Sequence, residues 1–206
     1  MEFEERERQY RQKKYYWGKE PSSLAQLTES YLPPSGSNPQ LVDLGAGEGR
    51  DAVFFAELGF DVLAIDISPA GLKKATRLAA ERELEIATLR ADINNIQLRR
   101  EPVVIFSSGA LQFIRPDVRN RQFSRFKATT RSGGLHAMFA FVDHPDIPQA
   151  PDTTDDQIPF GRTELQSYYD DWETVYSEEV RFWDDSGGDV HEHAARIHLA
   201  GKPDNK

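Results

Sequence analysis

The chain has 206 residues, enough for one large domain with a real core, and its mix of 38% apolar and 29% charged residues fits a globular protein and excludes a disordered one. Its net charge of −9 argues against a nucleic-acid or anionic-membrane partner, because phosphate contacts need clustered Lys and Arg. With no cysteine, disulfides, thiolate zinc sites and a cysteine nucleophile are excluded.

The opening MEFEERERQYRQKK is charged from its second residue and has no apolar segment, so no secretory signal is expected. The longest apolar run, Leu135–Val142, falls far below the roughly 18 residues of a membrane helix. Cytoplasmic residence is therefore expected. Residues 1–20 read as a charged helical arm, with EERER (4–8) as a solvated face, ending in Tyr15, Tyr16, Trp17 and Gly18. Pro21 and Ser22 suit the start of a helix over 21–32, which Pro33, Pro34, Ser35, Gly36 and Pro39 close as a loop.

Alternation then begins. Leu41–Leu44 reads as a buried strand, Arg50–Leu58 as a helix capped by Gly59, and Asp61–Asp66 as a second strand. Ser68 is a good N-cap and Pro69 a good first residue for a helix reaching Arg82. Strands are expected at Leu84–Leu89, Val103–Phe106 and Leu135–Val142, with a helix over Asp117–Thr130 closed by Gly133 and Gly134. Residues 143–161 are a proline- and aspartate-rich loop. A short helix (162–170), a strand (173–182), the turn DSGGD (185–189) and a final strand (190–200) follow. So short a turn makes a hairpin, so one strand runs against the others. The pattern predicts an α/β fold, a Rossmann-like seven-stranded, mostly parallel sheet with one antiparallel strand and helices on both faces. The expectation is a single domain over 1–206: an N-terminal arm or lid (1–32), a cofactor-binding core (40–142), and a substrate-side loop, helix and hairpin (143–200).

Chemistry concentrates in LVDLGAGEGR (41–50). A strand that ends in alternating glycines lets a ligand lie against bare backbone, with the amides of the following helix pointing at it. Dinucleotide sites use Gly-x-Gly-x-x-Gly, whereas Gly45, Gly47 and Gly49 alternate and Asp43 precedes them. A carboxylate repels a pyrophosphate and attracts an ammonium, so an amino-acid tail is the better ligand. Asp66 ends the second strand, where an acid accepts from ribose hydroxyls. Asp92, in ADI just past the third strand, can accept from an adenine amine.

With VLAIDIS and ADI, this stretch resembles the first three motifs of class I S-adenosylmethionine-dependent methyltransferases. YYWGKEPS (15–22), ADINNI (91–96), ALQFI (110–114) and ELQSYYDDWE (164–173) are similar to the tellurite-resistance methyltransferase family, over about residues 15–200. The resemblance implies that Asp43, Gly45, Gly47 and Gly49 hold the methionine part of the cofactor. It implies Asp66 and Ile67 for ribose and adenine, Asp92 and Ile93 for adenine, and Ser107 and Ser108 where the methyl faces substrate. Ala46, Arg50 and Ser68 complete the expected cofactor-binding set. Tyr16, Trp17, Gly18 and Pro21 would form a lid, an aromatic face over a sulfonium being attractive by about 0.5–2 kcal/mol; a packing anchor is the alternative reading of Tyr15–Trp17. The chain departs from the family at Gln112, where many relatives carry histidine, and at Phe182 and Trp183, where the family can show a histidine–arginine pair.

His191 and His193 share a strand face, and that strand starts at the ligand edge, so they are candidates for base or anion clamp against a role beside the core. They lack a clear third ligand, so no metal is expected. His144 could also face the crevice. Arg50, Arg115, Arg162 and Arg181 could attract an oxyanion or be solvated surface. The implied function is methyl transfer to a small soft nucleophile: a tellurium or selenium oxyanion, a thiol or a selenol. The alternatives are a methyltransferase for another small metabolite, or a non-catalytic S-adenosylmethionine-binding protein.

Overall fold

The computed structural model describes residues 3–34, 39–99, 101–151, 153–185 and 189–204. The elements are α1 (Phe3–Tyr10), α2 (Ser23–Glu29), β1 (Gln40–Leu44), α3 (Arg50–Glu57), β2 (Asp61–Asp66), α4 (Pro69–Glu81), β3 (Ala87–Arg90), β4 (Val104–Ser108), α5 (Pro116–Thr129), β5 (Leu135–Phe141), α6 (Glu164–Ser167), β6 (Glu173–Asp184) and β7 (His191–Gly201). They form a seven-stranded sheet in the order β3-β2-β1-β4-β5-β7-β6. β1 to β5 are parallel, and β7 runs antiparallel to both neighbours. The reversed strand is therefore last in sequence but lies inside the sheet, and β6 takes the edge.

Side chains of β1 and β4 alternate between two cores. Val42, Leu44 and Ile105 point to one face, where α5 and α6 add Val118, Phe123, Phe126 and Leu165. Leu41, Val104 and Phe106 point to the other, under Leu24 and Ala25 of α2 and Ala52 and Phe55 of α3. Between β1 and β4 the chain order reverses, so the connections leaving their carboxyl ends diverge and open a crevice.

Several boundaries differ from the sequence expectation. The first helix stops at Tyr10 because Tyr15 turns into a small core with Val53, Leu78 and Ala79. The second helix is shorter than expected, and the Ser22 side chain accepts from the Ala25 amide at its start. Glu83 takes a left-handed φ of 57° after α4, and Leu84 and Ile86 pack beneath helices before β3 begins to pair at Ala87. The helix expected over 162–170 shrinks to the single turn of α6. Ser35 and Gly36 of the predicted loop and residues 186–188 of the predicted DSGGD turn lie outside the described residues. Among the described residues no helix is long and apolar enough to cross a membrane.

Candidate cofactor and acceptor site

The glycine loop is tied down by close packing as much as by openness. A Cβ on Gly45 would meet that of Ala110 at 2.1 Å, and one on Gly49 would meet that of Ala75 at 2.4 Å, both with positive φ. These two positions thus exclude side chains because Ala110, in the loop after β4, and Ala75 of α4 approach them. Gly45 and Ala46 donate to the Ile65 carbonyl, and Gly47 donates to Asp66 Oδ2 at 2.8 Å. Gly49 is the N-cap residue of α3.

Three acids stand at three strand ends in different states. Asp43 is 2% exposed, and its Oδ2 has no hydrogen-bond partner among the described residues. Burial, then the negative charges of Asp51 and Asp66, push its carboxyl well above the usual carboxylate range. Asp66 is raised too by burial, but the amides of Ser68 (2.8 Å) and Gly47 counter this and brace the carboxylate against the loop. Its oxygens keep lone pairs for further donors. Asp92 folds back on its own turn, accepting from the Asn94 amide and side chain and from the Asn95 side chain.

A cavity of about 1360 Å³ runs from this loop to the β6–β7 hairpin. Of the expected cofactor residues, Tyr16, Trp17, Gly18, Asp43, Gly45, Ala46, Gly47, Arg50, Asp66, Ile67, Asp92, Ile93 and Ser108 line it. Gly49, Ser68 and Ser107 stand behind the wall. Gly49 packs on α4, the Ser68 hydroxyl caps α4 by accepting from Gly71, and the Ser107 hydroxyl donates to the Leu44 carbonyl. The physical reason is the same for all three: each serves the strand-to-helix turn from the buried side.

The N-terminal arm closes one end, and sequence reading missed how. Glu7, in the run expected to be solvated, is buried and accepts from the Ser68 hydroxyl at 2.5 Å and the Ala70 amide. Arg6 lies 4.1 Å over the Phe113 ring. Tyr10 covers Gly47 and accepts from the Trp17 indole at 3.2 Å. Glu48 is 2% exposed and pairs with the buried Lys74 at 2.5 Å, while its other oxygen accepts from the Tyr16 and Trp17 amides. Tyr15 is the anchor, its hydroxyl donating to the Lys74 carbonyl. Tyr16 and Trp17, edge to face at 4.7 Å, face the cavity. Anchor and cavity wall thus fall on successive residues. The indirect signal was the alternation of Glu48 with glycines, where an acid has no turn-forming need.

The far half of the cavity is built by β5, β6, β7 and the 143–161 loop. Phe139, Phe141 and Phe182 make an aromatic wall. The loop is pinned at its end by Arg119, 2% exposed, which donates to the Ile158 and Pro159 carbonyls, pairs with Glu164 at 3.0 Å and stacks 3.8 Å over Phe160. Its anchored end includes a bridge between Val142 and Phe160. His144 is buried, lines the cavity and lies 2.9 Å from the Arg181 guanidinium. Arg50 and Arg115 reach the cavity; Arg162 instead pairs with Glu179 at 2.6 Å. His193 lines the wall, and His191 stands behind it with their Nε2 atoms 2.9 Å apart.

Comparison with known proteins gives this site a family. A "Hemagglutinin 1" of Eikenella corrodens is 32% identical over 143 residues, covering 68% of this chain and 45% of that protein. A "Probable S-adenosyl-L-methionine-dependent methyltransferase TehB" of Haemophilus influenzae is 26% identical over 142 residues, covering 68% of this chain and 49% of the relative. The chain thus spans about half the length of the curated relatives it matches. The crystal structure of TehB from Haemophilus influenzae superposes with a TM-score of 0.75 at 24% identity, over 87% of this chain and 61% of that one, which shows a shared fold. Residues 3–198 match the family described as "Tellurite resistance protein TehB", and the chain belongs to that family.

Proposed function

We propose that the chain binds S-adenosylmethionine between the glycine loop and the N-terminal arm and directs its methyl group to a small soft nucleophile held in the far half of the cavity. The observation that carries this reading is the buried Asp43 carboxylate with an unpartnered oxygen beside the loop. A lone buried acid costs stability, and a ligand ammonium is the counter-charge that relieves it. Asp66 then offers its spare lone pairs to ribose hydroxyls, and the exposed face of Ile67 and the backbone of Ile93 fit an adenine edge. When bound, S-adenosylmethionine supplies an electrophilic methyl carbon on a sulfonium. Tyr16 and Trp17 put aromatic faces on that cation's side of the cavity. Cavities of about 300–1,000 Å³ hold one drug-sized ligand, so the larger volume here leaves room for an acceptor.

The residues at the acceptor end set its chemistry. Phe139, Phe141 and Phe182 exclude water, and alignment with desolvation supplies the rate for a polarisable nucleophile. The aromatic wall and the net charge of −9 favour a thiol or selenol over a free tellurium or selenium oxyanion, which the acidic field repels. The test is calorimetry with S-adenosylmethionine and with its demethylated product, followed by methyl transfer to small thiols, selenols, selenite and tellurite. Binding of both, and turnover fastest with thiols or selenols, is expected. No binding at about millimolar cofactor would overturn the reading.

A further inference from the structure

The sequence offered two imidazoles on one strand face and no third ligand. Hairpin register supplies it. In the β6–β7 ladder Asp184 is directly opposite His191, and Phe182 is opposite His193. Cross-strand partners share a face, so Asp184 joins both histidines on one side of the sheet. One ligand atom from each of the three lies within 4.8 Å of the others. The two Nε2 atoms are 2.9 Å apart, and Asp184 Oδ2 is 3.9 Å from His193 Nε2.

We propose that Asp184, His191 and His193 form a mononuclear site for a first-row divalent transition ion at the acceptor end of the cavity. Donor type supports this: two imidazoles and one carboxylate suit zinc, cobalt, iron or manganese and leave positions open. Separation supports it too. Atoms about 2.1 Å from one ion lie roughly 3.0–3.4 Å from each other, close to the imidazole spacing, and the carboxylate needs only a small side-chain turn to join. His191 is oriented as a metal-bound imidazole is. Its Nδ1 lies 2.7 Å from the Asp189 carbonyl, which can only accept. The ring proton therefore sits on Nδ1, and Nε2 presents its lone pair toward the other two ligands. Asp184 and His193 line the cavity, so the ion's open positions face the acceptor. A base role fits this arrangement less well, because each imidazole is turned toward the other.

The site is tested on untagged, chelator-treated protein with no S-adenosylmethionine present, so the outcome is independent of cofactor binding and of methyl transfer. Cobalt(II) titration followed by visible absorption should saturate at one equivalent, and zinc should displace the signal. Asp184→Asn and His193→Gln, checked for native circular dichroism, should each weaken cobalt affinity by about tenfold or more. His191→Gln provides a third variant should either of these misfold. Absence of cobalt absorption at about millimolar ion, or unchanged affinity in a folded variant of any of the three residues, would overturn the proposal.

Discussion

Asp43 is the residue on which electrostatics and the proposed ligand contact meet. Burial holds its folded pKa above the unfolded value of about 3.9, so the native state keeps the proton longer than the unfolded chain does. Its favourable contribution is complete below the unfolded value and is lost as pH rises through the folded one. Asp43→Asn removes this loss. Without cofactor, the variant should therefore gain stability over the wild type between pH 4 and pH 7, and should bind S-adenosylmethionine about tenfold or more weakly. Urea titrations at the two pH values and calorimetry measure both; a stability difference that stays constant with pH would contradict the assignment. The position of Asp43 beside the loop was legible because the acid and its glycines are sequence neighbours. The roles of Glu7 and Glu48 were not. Glu7 caps a helix 61 residues on, so nothing local marked it as buried, and Glu48 meets Lys74 26 residues away, so only its place among the glycines hinted at its role. Asp92 was visible in its motif too, and the Asn94 and Asn95 amides that engage it give it a turn-forming role the motif alone did not show.

Among elements, the N-terminal arm depends on one buried charge pair, and the 143–161 loop on the buried guanidinium of Arg119. Glu48 and Lys74 are nearly inaccessible, and removing one leaves the other charged in a desolvated pocket. Glu48→Ala should lower unfolding free energy by about 3–5 kcal/mol and increase tryptic cleavage at Lys13 and Lys14. Replacing both, as Glu48→Met with Lys74→Leu, should cost less than Glu48→Ala alone. A double variant that is the least stable of the set would refute this account. Arg119→Leu should cost about 3 kcal/mol in urea and speed hydrogen exchange at Ile158 and Phe160, whose loop loses its clamp. Unchanged exchange there would show that the bridge to Val142 suffices. Element type was readable wherever period and caps agree, as in α4 with Ser68 and Pro69. Boundaries were not readable where a distant core decides them, as Tyr15 does for the end of α1.

For the whole molecule, the strand order explains a cost that no single element reveals. β7 is inserted between β5 and β6, so both its edges are paired, and its histidine His198 is 1% exposed. Neither ring nitrogen of His198 has a partner among the described residues, and burial, then the charge of Arg196, lowers its pKa to about 4. Across the β5–β7 pairing, His136 is fully buried and held well below its ordinary value by burial, then by Lys127 and Lys202. It differs in being bonded, with Thr130 and Tyr169 hydroxyls at 2.7 and 2.8 Å. Both imidazoles are neutral in the fold and charge on unfolding, so the unfolded chain binds more protons in acid. Their contribution is present above the unfolded pKa of about 6.5 and is lost as pH falls through the folded values. These two histidines should therefore contribute progressively less stability from pH 6.5 toward pH 4, opposing the gain that Asp43 brings over the same range. His198→Leu keeps the packing volume, removes the unpartnered nitrogens and abolishes one of the two proton uptakes. This variant should be more stable than wild type at pH 5 and lose one acid-side proton uptake from its pH dependence, while His136→Leu should lose stability at pH 7 because it strands the buried Tyr169 hydroxyl, Thr130 keeping its bond to the Phe126 carbonyl. Chemical denaturation across this pH range measures both, and an unaltered slope in His198→Leu would mean that His198 already carries its proton inside the sheet.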